Sequence, residues 1–316
     1  MAMLRLAVAL GIIAAFAGCA NSASSGTMPA TIPTQTGAIA NATLAKASPG
    51  RVLYVGNIDG QPGLGNVLVY SADMKNPQLI RTISNGTGRP IGLWVDAKNV
   101  LYVANYPNKD PSSVTEFQPG ASTPFFEITN FKGYPESVAV DAHQNVFVNE
   151  SYKDEGWVQE FAPGSNTPER SIDTGIGGYA FDAGSMSFDP KGNLIVAEDA
   201  KLAVHIVKIA RTSFKVSQLN LDLKNVSGPG MGIDRAGNIY VSNGGGDDVL
   251  VFPPGQTEPS RTIAPVGAYG LMSVTAQGAV YEASGEGSVT EIAAGSNSPT
   301  NTITCQCSSQ GVAVSR

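Results

Sequence analysis

Four stretches of the chain share one pattern: GLWVDAKNVLYVAN from Gly92, SVAVDAHQNVFVNE from Ser137, SMSFDPKGNLIVAE from Ser185 and MGIDRAGNIYVSN from Met231. The aspartates at their centres, Asp96, Asp141, Asp189 and Asp234, are spaced 45, 48 and 45 residues apart. A fifth copy, LMSVTAQGAVYEAS, carries Thr275 in place of the aspartate, 41 residues on, and GVAVSR places Ser315 a further 40 along. A unit of this size cannot bury a core alone. Self-similarity at this period therefore points to a solenoid or a propeller, in which each unit is covered by its neighbours.

Within each copy an apolar run, a tight Asp-x-x-Gly/Gln-Asn turn and a second apolar run of the Leu-Tyr-Val kind spell a β-hairpin. The aspartate carboxylate can accept from backbone N–H groups two residues on, so its recurrence is read as turn chemistry. A second segment also recurs: EFQPGASTPFFEI from Glu116, EFAPGSNTPERSI from Glu160, VFPPGQTEPSRTI from Val251 and EIAAGSNSPTNTI from Glu291. There a strand ends at Pro-Gly or Ala-Gly, a proline follows four residues after the glycine, and another strand resumes. Each repeat is thus four short strands, the make-up of a propeller blade. The 36 glycines and 20 prolines, and a charged share of only 15%, fit frequent turns and argue against helical bundles.

The Asp-x-x-Gly-Asn-Ile/Leu-Tyr/Ile-Val segments resemble the NHL repeat over residues 51–316, whereas the WD40 pattern is excluded, because no Gly-His or Trp-Asp pair stands at the repeat positions. The resemblance implies an all-β, six-bladed propeller. First strands are expected near 91, 137, 185, 230, 271 and 311. The segment KIARTSFKVSQLNLD from Lys208 departs most, since it lacks the Pro-Gly hairpin. RVLYVGN from Arg51 reads as a second strand and GVAVSR as a first strand, so one blade is expected to combine both ends of 51–316 and close the ring.

The segment before the repeats reads as an address. One charge at Arg5 precedes an apolar run from Leu6 to Phe16 and then small residues, the pattern of a secretory signal over residues 1–18. That run is shorter than the ~20 residues a membrane-spanning helix needs. Ala17-Gly18-Cys19 resembles a bacterial lipobox, with Phe16 in place of its usual leucine, which implies lipidation of Cys19. Residues 19–50 are rich in Ala, Ser, Thr and Pro, and none of residues 20–50 is acidic or aromatic, so the stretch is expected to be a flexible tether. The expectation is a membrane-anchored lipoprotein of the bacterial envelope. Ala20 stands where inner-membrane retention commonly uses aspartate, which favours an outer-membrane or surface destination.

Two sets of residues are candidates for a binding face. Asn57, Asn105, Glu150, Glu198, Asn243 and Ser284 end the second strands and are expected to form a ring at one mouth of the channel. They either supply oxygen ligands to a hard cation such as Ca²⁺ or end strands and hydrogen-bond the next turn. Arg89, Tyr134, Tyr179 and Tyr269 occupy the loops entering the first strands; they either bind a sugar, a peptide or an aromatic ligand or pack between blades. Cys305 and Cys307 are either bridged or free, and Trp94 and Trp157 are assigned to packing.

A net charge of -6 without a Lys/Arg run argues against nucleic acid. The gluconolactonase family, similar in fold, sets acidic or amide metal ligands before its first strands, where this chain has Ile91, Glu136, Gly184, Gly230, Gly270 and Gln310. Streptogramin lyases, whose repeats also look like these, depend on a histidine, and here His143 falls in a turn and His205 in an outer strand. The expected function is a monomeric module binding a protein, a peptide or a glycan. The alternative is a metal-dependent hydrolase or lyase working through Glu150 and Glu198.

Overall fold

The computed structural model describes residues 51–316 except 59–64, 73–74, 107–111, 179–181, 202, 224–225, 227, 229, 245, 265–269, 286 and 306. The signal, Cys19 and the tether therefore lie outside the described residues, as do Tyr179 and Tyr269. The strands form six antiparallel sheets of four. One sheet takes β1 (Val52–Asn57), β2 (Asn66–Ser71) and β3 (Leu79–Ile83) from one end of the domain and β24 (Ser309–Val314) from the other. The remaining blades follow the chain: β4 (Pro90–Val95) to β7 (Phe126–Ile128), β8 (Tyr134–Val140) to β11 (Pro168–Gly177), β12 (Asp182–Phe188) to β15 (Val216–Leu219), β16 (Met231–Ile233) to β19 (Arg261–Ile263), and β20 (Met272–Val274) to β23 (Asn301–Thr304). This is a six-bladed β-propeller. The atypical Lys208 segment also forms an outer hairpin, turned by Phe214 at φ 54° where three other blades use Pro-Gly and one uses Ala-Gly.

The burial of each strand follows from its place in the blade. Second strands such as β5 (Leu101–Asn105), LYVAN, are buried at every position because neighbouring blades cover both their faces, which is why they read as continuous apolar runs. Outer strands such as β3 are largely exposed. The buried side chains form six clusters, and each draws on two adjacent blades: Phe117 and Leu101 pack with Tyr54 and Val67, for instance, and Phe252 and Met231 with Ile195 and Ile206. No blade holds a core of its own.

The recurring aspartate does the work expected of it in the turns. Asp141 Oδ1 accepts from the backbone N–H of His143 and Asn145, both at 2.8 Å, and its Oδ2 accepts from Asn145 Nδ2. Asp189 makes the same three contacts with Lys191 and Asn193. In the fifth copy Thr275 Oγ1 accepts from Ala279 N at 3.0 Å. In the closing blade no peptide joins the two strands, yet Ser315 Oγ accepts from Val52 N at 2.7 Å, so a hydrogen bond replaces the covalent turn.

Glycines set how closely the innermost strands approach. A Cβ on Gly92 would overlap the Glu136 carbonyl oxygen and lie 2.7 Å from Ser137 Cα, and one on Gly311 would overlap the Ile91 carbonyl. Neighbouring blades thus touch backbone to backbone at this level. Gly92→Ala is expected to push two blades apart and cost about 1–3 kcal/mol, as overpacking does. Gly88→Ala, with open space around its Cβ, is the control and should leave the melting temperature unchanged; thermal melts of both variants check this.

Candidate functional site

The six residues that end the second strands occupy equivalent places and are buried or nearly so. Three of them hold the chain that arrives from the preceding blade. Asn105 Oδ1 accepts from Gly88 N at 3.1 Å, and its Nδ2 reaches Gly86 O, Ser113 Oγ and Thr115 Oγ1. Glu150 Oε2 accepts from Gly133 N at 2.7 Å, and Asn57 Oδ1 accepts from Ser308 N at 3.0 Å. Asn243 instead closes its own hairpin through Gly246 N and Asp248 Oδ1, and Ser284 Oγ does the same through Ser288 N. A calcium ion on this ring would have to displace backbone N–H groups from Asn57, Asn105 and Glu150. Among the described residues no three His, Cys, Asp or Glu side chains gather as a ligand set.

Three carboxyls near this level are fully buried, and burial governs their protonation. Glu150 is pushed up to about 7, the loss of water outweighing the Gly133 and Lys132 N–H groups and the Lys132 charge. Glu198, on β13 (Leu194–Ala200), is pushed up to about 8 although Thr174 Oγ1 donates to it at 2.8 Å. Glu282, on β21 (Val280–Ala283), is likewise pushed up to about 8, with Ser242 Oγ donating at 2.5 Å from the next blade. Each keeps one oxygen without a partner. Sequence reasoning missed Glu282. The signal was there, because it stands where the other second strands carry valine (Val55, Val103, Val148, Val196, Val241).

Arg89 and Tyr134 are brought together, and Tyr106 is the link. Tyr134 opens β8 with half its surface exposed, and its ring lies 5.5 Å from that of Tyr106 at an angle of 50°. The Arg89 guanidinium sits 5.3 Å from the Tyr106 ring centre, and Tyr106 N donates to Arg89 O at 2.9 Å, which fixes the pair. Beside them, on the hairpin of β9 (Val146–Tyr152) and β10 (Glu155–Phe161), the Lys132 ammonium lies over Trp157 and 5.8 Å from the Tyr152 ring, and Lys153 lies 4.8 Å from Tyr152. Trp157 is therefore partly buried under a cation and takes no part in the apolar clusters, unlike the core or blade packing assigned to it from sequence. Trp94 does pack, edge-on against Phe188. Tyr106 directly follows the strand-ending Asn105, a place where the repeat has no recurring aromatic.

The remaining candidates fall elsewhere. Cys305 and Cys307 are bridged, their Cα atoms 5.2 Å apart just past the end of β23. His205, on β14 (Ala203–Ile209), contacts Gln218, and Glu136 accepts from Ser151 Oγ. His143 lies in its turn on the other face, with Nε2 3.4 Å from Arg211 Nη2.

No protein-family model matches the chain, and no curated protein is similar to it. Solved structures are similar in fold. A chain of a nidogen/laminin complex superposes with a TM-score of 0.63 at 19% identity, covering 84% of this chain and 99% of that one. A protein of unknown function from Bacteroides caccae gives 0.61 at 11% identity, and a protein from Lactobacillus plantarum gives 0.59 at 13%, each with the same coverage of 84% and 99%.

The raised carboxyls carry a pH signature. The folded state keeps protons on Glu150, Glu198 and Glu282 that the unfolded chain releases near pH 4.5, so stability falls as pH rises from that value through 7–8 and levels above. The melting temperature is expected to be lower at pH 9 than at pH 5.5, and Glu198→Gln and Glu282→Gln should each flatten that decline in a pH series of thermal melts.

Proposed function

We propose that the chain is an exported, lipid-anchored propeller of the NHL kind whose Arg89/Tyr106/Tyr134 face binds a peptide or a glycan. The observation that carries the reading is the half-exposed Tyr134 ring set against Tyr106 beneath Arg89, with Tyr152, Trp157 and two lysines alongside. Aromatic faces present large, stiff apolar area to a sugar ring or a peptide side chain, and the neighbouring cations add charge and hydrogen-bond donors. Support for the anchor is the apolar run ending in Ala17-Gly18-Cys19, and for reach, the Ala/Ser/Thr/Pro-rich stretch after it. The similar propeller from a nidogen/laminin complex is consistent with a protein ligand. The hydrolase reading would draw on Glu150 and Glu198, whose raised pKa values suit a general acid, but neither side chain has surface that a solute could touch.

Binding of the full-length protein to peptide and glycan arrays tests the reading. Tyr134→Ala and Tyr106→Ala are each expected to weaken the ligands found by roughly tenfold, about 1.4 kcal/mol, with the melting temperature of Tyr134→Ala unchanged. Unaltered binding in both would move the site elsewhere. Labelling with a radioactive fatty acid is expected to mark the protein, and Cys19→Ser to abolish the label and release the chain from membranes.

A further inference from the structure

One pairing recurs across the outer two strands of the blades, and it leaves a single carboxyl out. The residue before the last buried side chain of each third strand faces a fixed place on the outer strand: Val69 faces Arg81, Glu160 faces Arg170, Lys208 faces Ser217, Val251 faces Arg261 and Glu291 faces Asn301. In four of these blades the outer residue is a donor that meets an acid or a tyrosine of its own blade. Arg170 pairs with Glu160, Asn301 Nδ2 donates to Glu291 Oε2 at 2.6 Å, the Arg81 charge acts on the Tyr54 hydroxyl, and Arg261 lies 5.9 Å from the Tyr240 ring centre. The blade with Ser217 has Lys208 in place of an acid. In β6 (Ser113–Phe117), however, Glu116 faces Phe126, whose ring packs into the apolar cluster between blades. Tyr102 stands beside it where other blades have Tyr54, Tyr240 and Tyr281. This blade thus keeps both the acid and the tyrosine but lacks their donor.

The place left by that donor is a cavity. Glu116 is 5% exposed, its side chain accepts no hydrogen bond among the described residues, and with Tyr102 it lines a space of about 270 Å³ on the side of the aspartate turns. Asp96 adds to the charge there: its Oδ1 is held by Lys98 N and Val100 N, while its buried Oδ2 has no partner. Burial first, and the Asp96 charge second, push Glu116 up to about 7. Lys98 is the one basic residue of the lining; it is exposed and makes no ion pair among the described residues. Val100 and Val146 supply apolar wall, and the half-exposed Phe125 ring lines the same space. Two carboxylates, one of them committed to its turn through Oδ1, fall short of the ~6–8 oxygens that Ca²⁺ takes.

We propose that this cavity is a second binding site, independent of the tyrosine face, for a guanidinium group on a short alkyl stem, carried by a free alkylguanidine or by an arginine side chain of a peptide. It takes the place that Arg81, Arg170 and Arg261 fill in their own blades. Glu116 accepts from the planar fork of N–H donors, the match that makes carboxylate and guanidinium a strong pair. The aromatic ring of Phe125 favours a cation beside it, and the valines flank the stem. The volume is just below the ~300–1,000 Å³ of sites for drug-sized ligands, which suits a group of this size.

Titration of the full-length protein with butylguanidinium, acetyl-Gly-Arg-Gly-amide, butylurea and calcium chloride, read by calorimetry, tests this. Butylguanidinium or the peptide is expected to bind, with butylurea, the uncharged analogue, and calcium at least roughly tenfold weaker. Tighter binding of the peptide assigns the guanidinium to a partner's side chain, and tighter binding of butylguanidinium to a free small cation. Glu116→Gln, which keeps the shape of the side chain, should weaken the guanidinium probe at least tenfold, Phe126→Arg should abolish its binding by restoring the partner within the blade, and Tyr134→Ala should leave it unchanged; thermal melts check that each variant folds. The proposal is overturned if neither guanidinium probe binds, if Glu116→Gln or a folded Phe126→Arg binds as tightly as the parent, if Tyr134→Ala abolishes binding, or if butylurea or calcium binds as well as the guanidinium.

Discussion

Everything in this propeller hangs on the pairing of β24 with β1. Leu53, Tyr54 and Val55 face Val314, Ala313 and Val312 in that ladder, and they bring together residues more than 250 positions apart in the chain. Because each apolar cluster lies between two blades, an open ring would expose the clusters on either side of the gap along with an unpaired strand edge. The chemistry of the joint copies that of the turns. Where five blades place Asp or Thr to accept backbone N–H groups within the hairpin, the closing blade uses Ser315 to accept from Val52 across the break. Ser315 N in turn donates to Val52 O, which seals the end of the ladder.

A closed ring of this kind spends many of its polar residues on itself. Asn57, Asn105 and Glu150 hold incoming loops, and the turn aspartates hold their own backbones, so residues that look like ligands in the sequence serve as fasteners. The side chains not used in this way lie just outside those fasteners. On one face they are the aromatic and cationic group around Tyr106, one residue beyond Asn105. On the other, Lys191, Arg211 and Arg235 stand beside the turn aspartates. The two faces differ in chemistry because the repeat dictates only the fastener positions and leaves their flanks free to vary.

That division explains what could be read from sequence. Blade number, strand count and closure were legible because they depend on local patterns repeated several times, and even Thr275 and Ser315 were placed correctly since a hydroxyl oxygen accepts the same N–H as a carboxylate. Arg89 and Tyr134 were placed at one opening, but the link between them was not legible, since it is Tyr106, which has no counterpart in other blades. Trp157 was misassigned for the same reason: its surroundings are set by Lys132 from an adjacent loop. The close approach of the innermost strands depends on what each glycine meets across a blade boundary, and nothing in the spacing of glycines along the chain reports it. Glu282 was visible as a break in a column of valines, a signal that only comparison of all six copies reveals.

The closed ring is the claim on which both faces rest, and native-state hydrogen exchange tests it most directly. If closure makes the blades one cooperative unit, the interior amides of β1 and β24 should exchange only through global unfolding, with opening free energies within about 1 kcal/mol of those in β9 and β13. Exchange of β24 amides through a local opening several kcal/mol below the global value would contradict it, and would make the ring a set of stacked blades with a loose end.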